Sequence, residues 1–310
     1  QSVLYRTDKN GNTEVFLDPN KFSEKGTTSM SGLSFNKKGT LAAYNISEGG
    51  SDWQKIVIIN AITKEKIDET ITDVKFSGAS WLGDEGFFYS SYGKVQGSEL
   101  SVKTDMHKVY FHKLGTKQSE DRHIIGDENF KRRYMNIGVS DDERFLILSA
   151  ATATNGNELY VKDLKNNTDW IAIQKGFDYN TDVLDTKGDF IYIMTDKNAP
   201  NMKLQKFDIK NPSVWTDVIP ETENVLSAST GGGYIFAKYM KDAVSYMKQF
   251  DYNGKLIREI TLPGIGTASN IGGKETAKEL YYSFSNYITP GTTYKFNADS
   301  GDRKSTRLNS

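Results

Sequence analysis

The 310-residue chain has no cysteine, three histidines and only six prolines. Without cysteine it holds no disulfide, no thiolate metal site and no cysteine nucleophile. The compartment stays open on this ground, since a periplasmic and a cytoplasmic protein can both lack cysteine. A long apolar run is missing too. The longest, about 56 to 62, is interrupted by Asn60, far short of the ~18 residues of a membrane-crossing helix. Neither sign of charge dominates: 39 Lys and Arg against 40 Asp and Glu leave 39 − 40 = −1. No basic footprint for nucleic acid or an anionic membrane surface is therefore expected. Gln1 is not followed by a charged stretch and an apolar stretch, so no secretory leader is expected within the sequence.

Aromatic residues and glycine are plentiful, with 17 Tyr, 16 Phe and 27 Gly. This bias favours strands and tight turns. The chain also repeats. A turn followed by a short apolar strand occurs at Ser34–Ser47, Trp81–Tyr92, Val139–Ala150, Leu184–Asp196, Ser229–Met240 and Gly272–Ser285. After each comes an alternating strand that closes on a polar turn, as in HKVYFHKLGTK from His107 and MKLQKFDIKNP from Met202. A seventh copy of this second element, SVLYRTDKNG, stands alone at the start. Gly86, Arg144, Gly188 and Gly233 are 58, 44 and 45 positions apart, and Asp163, Asp208 and Asp251 are 45 and 43 apart. Short strands repeating every ~40–50 residues are the mark of propeller blades. The expected fold is all-β, a seven-bladed β-propeller whose first blade is truncated. One segment conflicts: Ala243, Val244, Tyr246, Met247 and Phe250 also fit a helical stripe, and the repeat register assigns them to a strand. The polar stretch Tyr92–Asp105 is expected to be a mobile surface insertion.

Chemistry-bearing patterns are sparse. His107 and His112 are five positions apart in one predicted strand, so they point to opposite faces and share no metal. Both are expected to be solvated or hydrogen-bonded surface residues. Asp8 to Glu14 has its Gly at the fourth place instead of the sixth, and reads as a hairpin turn instead of a calcium loop. The glycines at 231 to 233, and at 264 and 266, open no helix and lack a phosphate-binding lysine. No serine sits in G-x-S-x-G: Ser80 is followed by Leu82, and Ser51 by Trp53. Asp141 and Asp142 read as turn residues. No catalytic residue, no metal ligand and no cofactor site is assigned. SEGGSDWQKI (Ser47–Ile56) and DVKFSGASWLGDEGFFYSSY (Asp73–Tyr92) stand out, because they place aromatics and an acid where strands give way to loops. Packing alone accounts equally well for Trp53, Phe76 and Trp81.

These same motifs carry a resemblance. EVFLDPN (Glu14–Asn20), SEGGSDW, VKFSGASW, FFYSSY, the Leu114-Gly115-Thr116 turn with Gln118-Ser119-Glu120-Asp121, Ser140-Asp141-Asp142, and Tyr287 with Pro290 and Gly291 occur in order. Together they make the chain similar to the β-propeller domain of the prolyl oligopeptidase family of serine peptidases. The resemblance covers Gln1 to about Gly301. It implies a partner α/β-hydrolase domain with a Ser-Asp-His triad that cuts short proline-containing peptides after proline, without a metal or organic cofactor. The propeller of such an enzyme covers the active site and excludes folded proteins. The hydrolase domain and a short N-terminal segment are expected to be absent from this sequence, so the chain alone is expected to be inactive. The resemblance further implies that Phe76 stands beside the bound peptide, that Met135 is an apolar cavity residue, and that Asp52 faces the hydrolase. The family's cavity Arg and Cys fall near Ala151 and Thr154 and are not kept. The last nine residues, Asp302 to Ser310, are basic, show no strand pattern and depart from the family linker. The domain is therefore bounded at 1–301, and 302–310 is expected to be an adapter-like tail outside it. A stand-alone scaffold propeller is the alternative reading, although the Trp-Asp dipeptide of common scaffolds is absent. A glycosidase propeller would need acid/base carboxylates at a tunnel mouth, and none are indicated.

Overall fold

The computed structural model describes residues 1–8, 10–92 and 104–306. The expected mobile insertion falls largely outside them. The chain forms two compact units, one of Gln1–Thr154 with Glu158–Ala172, the other of Asn155–Asn157 with Ile173–Ser310.

In the first unit, Leu4–Thr7 (β1) and Thr13–Leu17 (β2) form a two-stranded hairpin. Asp8 closes it by accepting hydrogen bonds from the backbone of Asn10 and Asn12 and from the Asn12 amide, as expected of a turn aspartate. Next come an antiparallel meander of Thr28–Phe35 (β3), Leu41–Glu48 (β4), Trp53–Asn60 (β5) and Ile71–Lys75 (β6), and a second of Ser80–Leu82 (β7), Gly86–Ser91 (β8), Lys108–Lys113 (β9) and Arg122–Ile125 (β10). The Val74–Ser91 pairing of β6 with β8 joins the two into one eight-stranded sheet. A four-stranded sheet follows, of Tyr134–Val139 (β11), Phe145–Ala151 (β12), Glu158–Asp163 (β13) and Ile171–Gln174 (β14).

The second unit repeats the meander three times, each in sequential order. Its strands are Thr181–Lys187 (β15), Phe190–Thr195 (β16), Lys203–Asp208 (β17) and Thr216–Ile219 (β18), then Leu226–Gly231 (β19), Tyr234–Lys241 (β20), Val244–Phe250 (β21) and Leu256–Ile260 (β22). The last four are Thr267–Ala268 (β23), Glu279–Ser285 (β24), Thr292–Asn297 (β25) and Arg303–Ser305 (β26). Among the described residues, one hairpin and six four-stranded meanders make the seven blades of a β-propeller, the first of them two strands long.

Burial explains the two sequence patterns. In two blades the second strand is covered on both faces: β8 is buried at every position and β16 at all but its first, whereas β24 of the last blade alternates. The third strand alternates, as β21 does with its buried Ser245, Met247 and Gln249. Val244–Phe250 therefore forms a strand, with Ala243 in the turn before it, and the helical stripe is coincidental. Asp242 and Ala243 both have positive φ, 51° and 63°, which is the two-residue turn that matches strand twist. Apolar side chains fill the spaces between successive blades. Ile56, Ile58, Ile71, Val74, Phe87 and Tyr89 form one such core. Phe236, Met247, Leu280, Phe284 and Phe296 form another in the second unit. Each fully buried side chain of this size stabilises by about 1.5–3 kcal/mol.

The C-terminal stretch departs from the sequence reading. Arg303, Lys304 and Ser305 pair with Phe296, Lys295 and Tyr294, so the basic segment supplies the fourth strand of the last blade. Its three residues are all exposed. An edge strand with every side chain exposed needs no apolar alternation, which is why no pattern betrayed it.

Candidate functional site

The two motifs that stood out meet at one end of the first unit's sheets, where β4 gives way to β5, β6 and β8 finish, and β9 and β11 begin. The SEGGSD turn carries Gly49 and Gly50 at φ 60° and 77°, and Trp53 starts β5 with its N–H donated to the Ser51 hydroxyl. Asp52 is exposed there and lies 3.6 Å from Lys75 Nζ. Lys75 itself is largely covered. Its ammonium stands 5.3 Å from the centre of the Trp53 ring and 5.1 Å from that of Phe76, in cation–π range of both.

Phe76 is 51% exposed and sits at φ 54°. Positive φ is a costly conformation for a bulky side chain, and such residues gather where surrounding structure enforces them. Asp73 and Arg132, also with positive φ (57° and 59°), flank the same surface. The Phe76 ring meets Tyr134 edge-on, with centroids 5.4 Å apart at 83°. Tyr134 is itself 49% exposed. Two large aromatic faces are thus held in water by backbone geometry, beside an open recess of about 480 Å³. Tyr92, Thr104, Arg132 and Tyr134 line it. Arg133 is already engaged, its Nε 2.7 Å from Glu158.

Beneath this surface His107 is buried. Tyr92 stacks on its imidazole at 4.5 Å and 23°, and Trp53 meets Tyr92 edge-on at 6.1 Å. Burial pushes the His107 pKa down to about 4, against a smaller opposing effect of its bond to Lys75. Burial, with a smaller contribution from Tyr134, pushes the Tyr92 hydroxyl up to about 12. Both are neutral across the physiological range.

The sequence-derived candidates fare differently. Phe76 and Asp52 lie on the exposed surface, linked through Lys75. Met135 is only 1% exposed and packs in the core with Phe88, Leu146 and Leu148. The outward residue at this point of β11 is its neighbour Tyr134. Trp81 is core, its indole N–H donated to Ser34, so packing accounts for it. The reading of His107 and His112 as surface residues is corrected. His112 is fully buried in a polar cluster with Asp68 and Asp121, and only His123 is exposed. His107 stands just before β9 and His112 within it, and both are buried. Tyr134, Tyr92, Lys75 and His107 were not anticipated as members of the site. The one available signal was Tyr92 at the end of FFYSSY.

Chemically the arrangement offers contacts and not bond-breaking groups. The bonds of His107 run to backbone groups and those of His112 to carboxylates, so neither ring activates a serine. Among the described residues no group of three His, Asp or Glu side chains gathers to hold a metal. No described helix is long and apolar enough to cross a membrane. Exposed aromatic faces flanked by one ammonium, one guanidinium and one carboxylate suit flat apolar groups and peptide dipoles.

Known proteins place the chain firmly. Residues 1–308 match the family model described as "Prolyl oligopeptidase, N-terminal beta-propeller domain". The prolyl endopeptidases of Elizabethkingia miricola and Elizabethkingia meningoseptica are each 65% identical over 97% of this chain. The chain spans 43% of the length of each. A solved prolyl endopeptidase is 26% identical and superposes with a TM-score of 0.89, over 98% of this chain and 46% of its own. Prolyl oligopeptidase B from Galerina marginata, solved with a 25mer macrocyclization substrate, is 23% identical with a TM-score of 0.89 over 99% of this chain and 47% of its own, a likeness of fold alone. Blade count, blade order and the full-length family match agree: the chain belongs to the prolyl oligopeptidase family, as its N-terminal β-propeller domain.

Proposed function

We propose that this chain is the propeller of a proline-specific serine endopeptidase, and that it lies against an α/β-hydrolase domain of the same parent chain. In that reading it covers the active site, admits short proline-containing peptides and excludes folded proteins. The 65% identity to two prolyl endopeptidases over almost the whole chain carries the reading. The exposed Phe76–Tyr134 pair, with Asp52 and Lys75 beside it, supports it as the surface that meets a peptide. Its apolar walls bind and orient the substrate and displace water, and the bond-breaking groups belong to the hydrolase.

Two measurements test this. The purified chain gives no turnover of a fluorogenic Gly-Pro substrate, and turnover that survives repurification overturns the division of labour. In the parent enzyme, Phe76→Ala raises KM for a proline-containing hexapeptide about 5–30-fold, the equivalent of the roughly 1–2 kcal/mol of one lost ring contact. Its kcat stays within about threefold, as for a group that binds ground and transition states alike. An unchanged KM overturns the assignment of Phe76 to peptide contact.

A further inference from the structure

His107 is an unusual side chain to find under a binding surface. It is buried and titratable, and no step of the proposed chemistry uses it. Both of its ring nitrogens are nevertheless spoken for, and each bonds the residue next to one exposed aromatic, Lys75 before Phe76 and Met135 after Tyr134. Nε2 lies 3.0 Å from the Lys75 carbonyl oxygen. The Met135 backbone N–H donates to Nδ1 at 2.9 Å. Because Met135 can only donate, Nδ1 must carry the lone pair and Nε2 the proton, so Nε2–H donates to Lys75.

The two bonds fall on the peptide planes that set the two rings. The Lys75 carbonyl belongs to the peptide unit entering Phe76, so fixing it fixes the plane about which the φ of Phe76 is measured. The Met135 N–H belongs to the peptide unit leaving Tyr134, so fixing it fixes the ψ of Tyr134. One imidazole therefore bridges the end of β6 to the start of β11 and holds both aromatic residues at their backbones. Phe76 carries a conformational cost of about 1–3 kcal/mol for its positive φ, and the residue before it, Lys75, is tied down by the histidine. Tyr92, stacked on the imidazole, seals the bridge from water.

We propose that His107 is a positioning residue for peptide binding: its neutral, Nε2-protonated ring clamps Lys75 to Met135 and so sets the Phe76–Tyr134 pair in its edge-on arrangement. The assignment to peptide binding rests on the function proposed above, but the clamp itself does not. A protonated ring would present a donor to the Met135 N–H and break the bridge.

The test separates the two. In the chain itself, nuclear Overhauser contacts between the Phe76 and Tyr134 rings report the pair. They are expected in the wild type and expected to vanish in His107→Phe, which keeps ring volume and stacking but makes neither hydrogen bond. Contacts that persist overturn the clamp. If His107→Phe fails to fold, the imidazole nitrogen shifts of the wild type decide. The Nε2–H tautomer near neutral pH is expected, and an Nδ1–H tautomer overturns the clamp. In the parent enzyme, His107→Gln and Phe76→Ala each raise KM for the hexapeptide, and the double variant is no worse than Phe76→Ala alone, because the two act through one contact. KM effects that multiply overturn the positioning role. Ring contacts that depend on His107, beside an unchanged KM in Phe76→Ala, leave the clamp standing and overturn the peptide-contact reading instead.

Discussion

Replacing His112 by alanine is expected to destabilise the first unit by about 3–5 kcal/mol, the usual cost of leaving buried carboxylates without their cation. The ring is fully buried. Nδ1 lies 2.8 Å from Asp121 Oδ1, and Nε2 lies 3.5 Å from Asp68 Oδ2. The second separation is too long for a good hydrogen bond and acts as a charge interaction. Asp121 also accepts from the Tyr89 hydroxyl at 2.7 Å, and Asp68 from the Gly115 N–H at 2.8 Å. The cluster joins the β5–β6 connection to the turn after β9, so its loss loosens two blades together. Burial pulls the His112 pKa down, but the hydrogen bond it donates to Asp121 and the charges of both carboxylates outweigh it, and the pKa lies above the ordinary 6.5. The folded state thus binds this proton more tightly than the unfolded one. Its contribution is fully present below pH ~6.5 and is lost as pH rises through the higher folded value. Denaturant unfolding at pH 6 and pH 9 checks this. The gap between wild type and variant is expected to be wider at pH 6. A gap below about 1 kcal/mol at pH 6, or a wider one at pH 9, contradicts the account.

Gly86→Ala is expected to cost about 3 kcal/mol, the upper end for overpacking. Gly86 starts β8 without a positive φ, so the need for glycine is not conformational. A Cβ there would stand 1.9 Å from the backbone carbonyl oxygen of His112 and 3.1 Å from Phe111. The neighbouring strand passes too close for any side chain. Backbone held in a ladder cannot step aside, and Leu114 is tied to Glu85 just beyond. The change also displaces the backbone that carries the His112 ring, so combining the two substitutions costs less than their sum. Gly78 is the control. It has no atom within 4 Å of a Cβ and no positive φ, so Gly78→Ala is expected to stay within about 0.5 kcal/mol. Thermal or denaturant unfolding of both variants checks the pair, and equal effects contradict the steric account.

The repeat made the architecture legible. Turn residues recurring every 43 to 45 positions and strands that alternate between continuous and period-2 burial left few folds to consider. The same register settled Val244–Phe250 as a strand against the helical stripe. Asp52 and Phe76 could be singled out because their motifs are local and continuous in sequence, and both are exposed. Met135 was placed by motif as well, but the motif does not say which of two adjacent side chains turns outward. Alternation along β11 sends Tyr134 out and Met135 in.

What the sequence by itself determined was blade number, strand order, the short first blade and the family. The first three follow from local pattern and its period, and the family from motifs resembling those of its members. Tertiary structure alone decided which side chains meet. The Phe76–Tyr134 pair, the His107 bridge between their backbones, the burial of His112 between two aspartates and the close approach at Gly86 each join residues from different strands or blades. Arg303–Ser305 became a strand only because β25 offered an open edge. Burial of a polar residue depends on what covers it, and the covering residues come from elsewhere in the chain, where one strand's pattern carries no record of them.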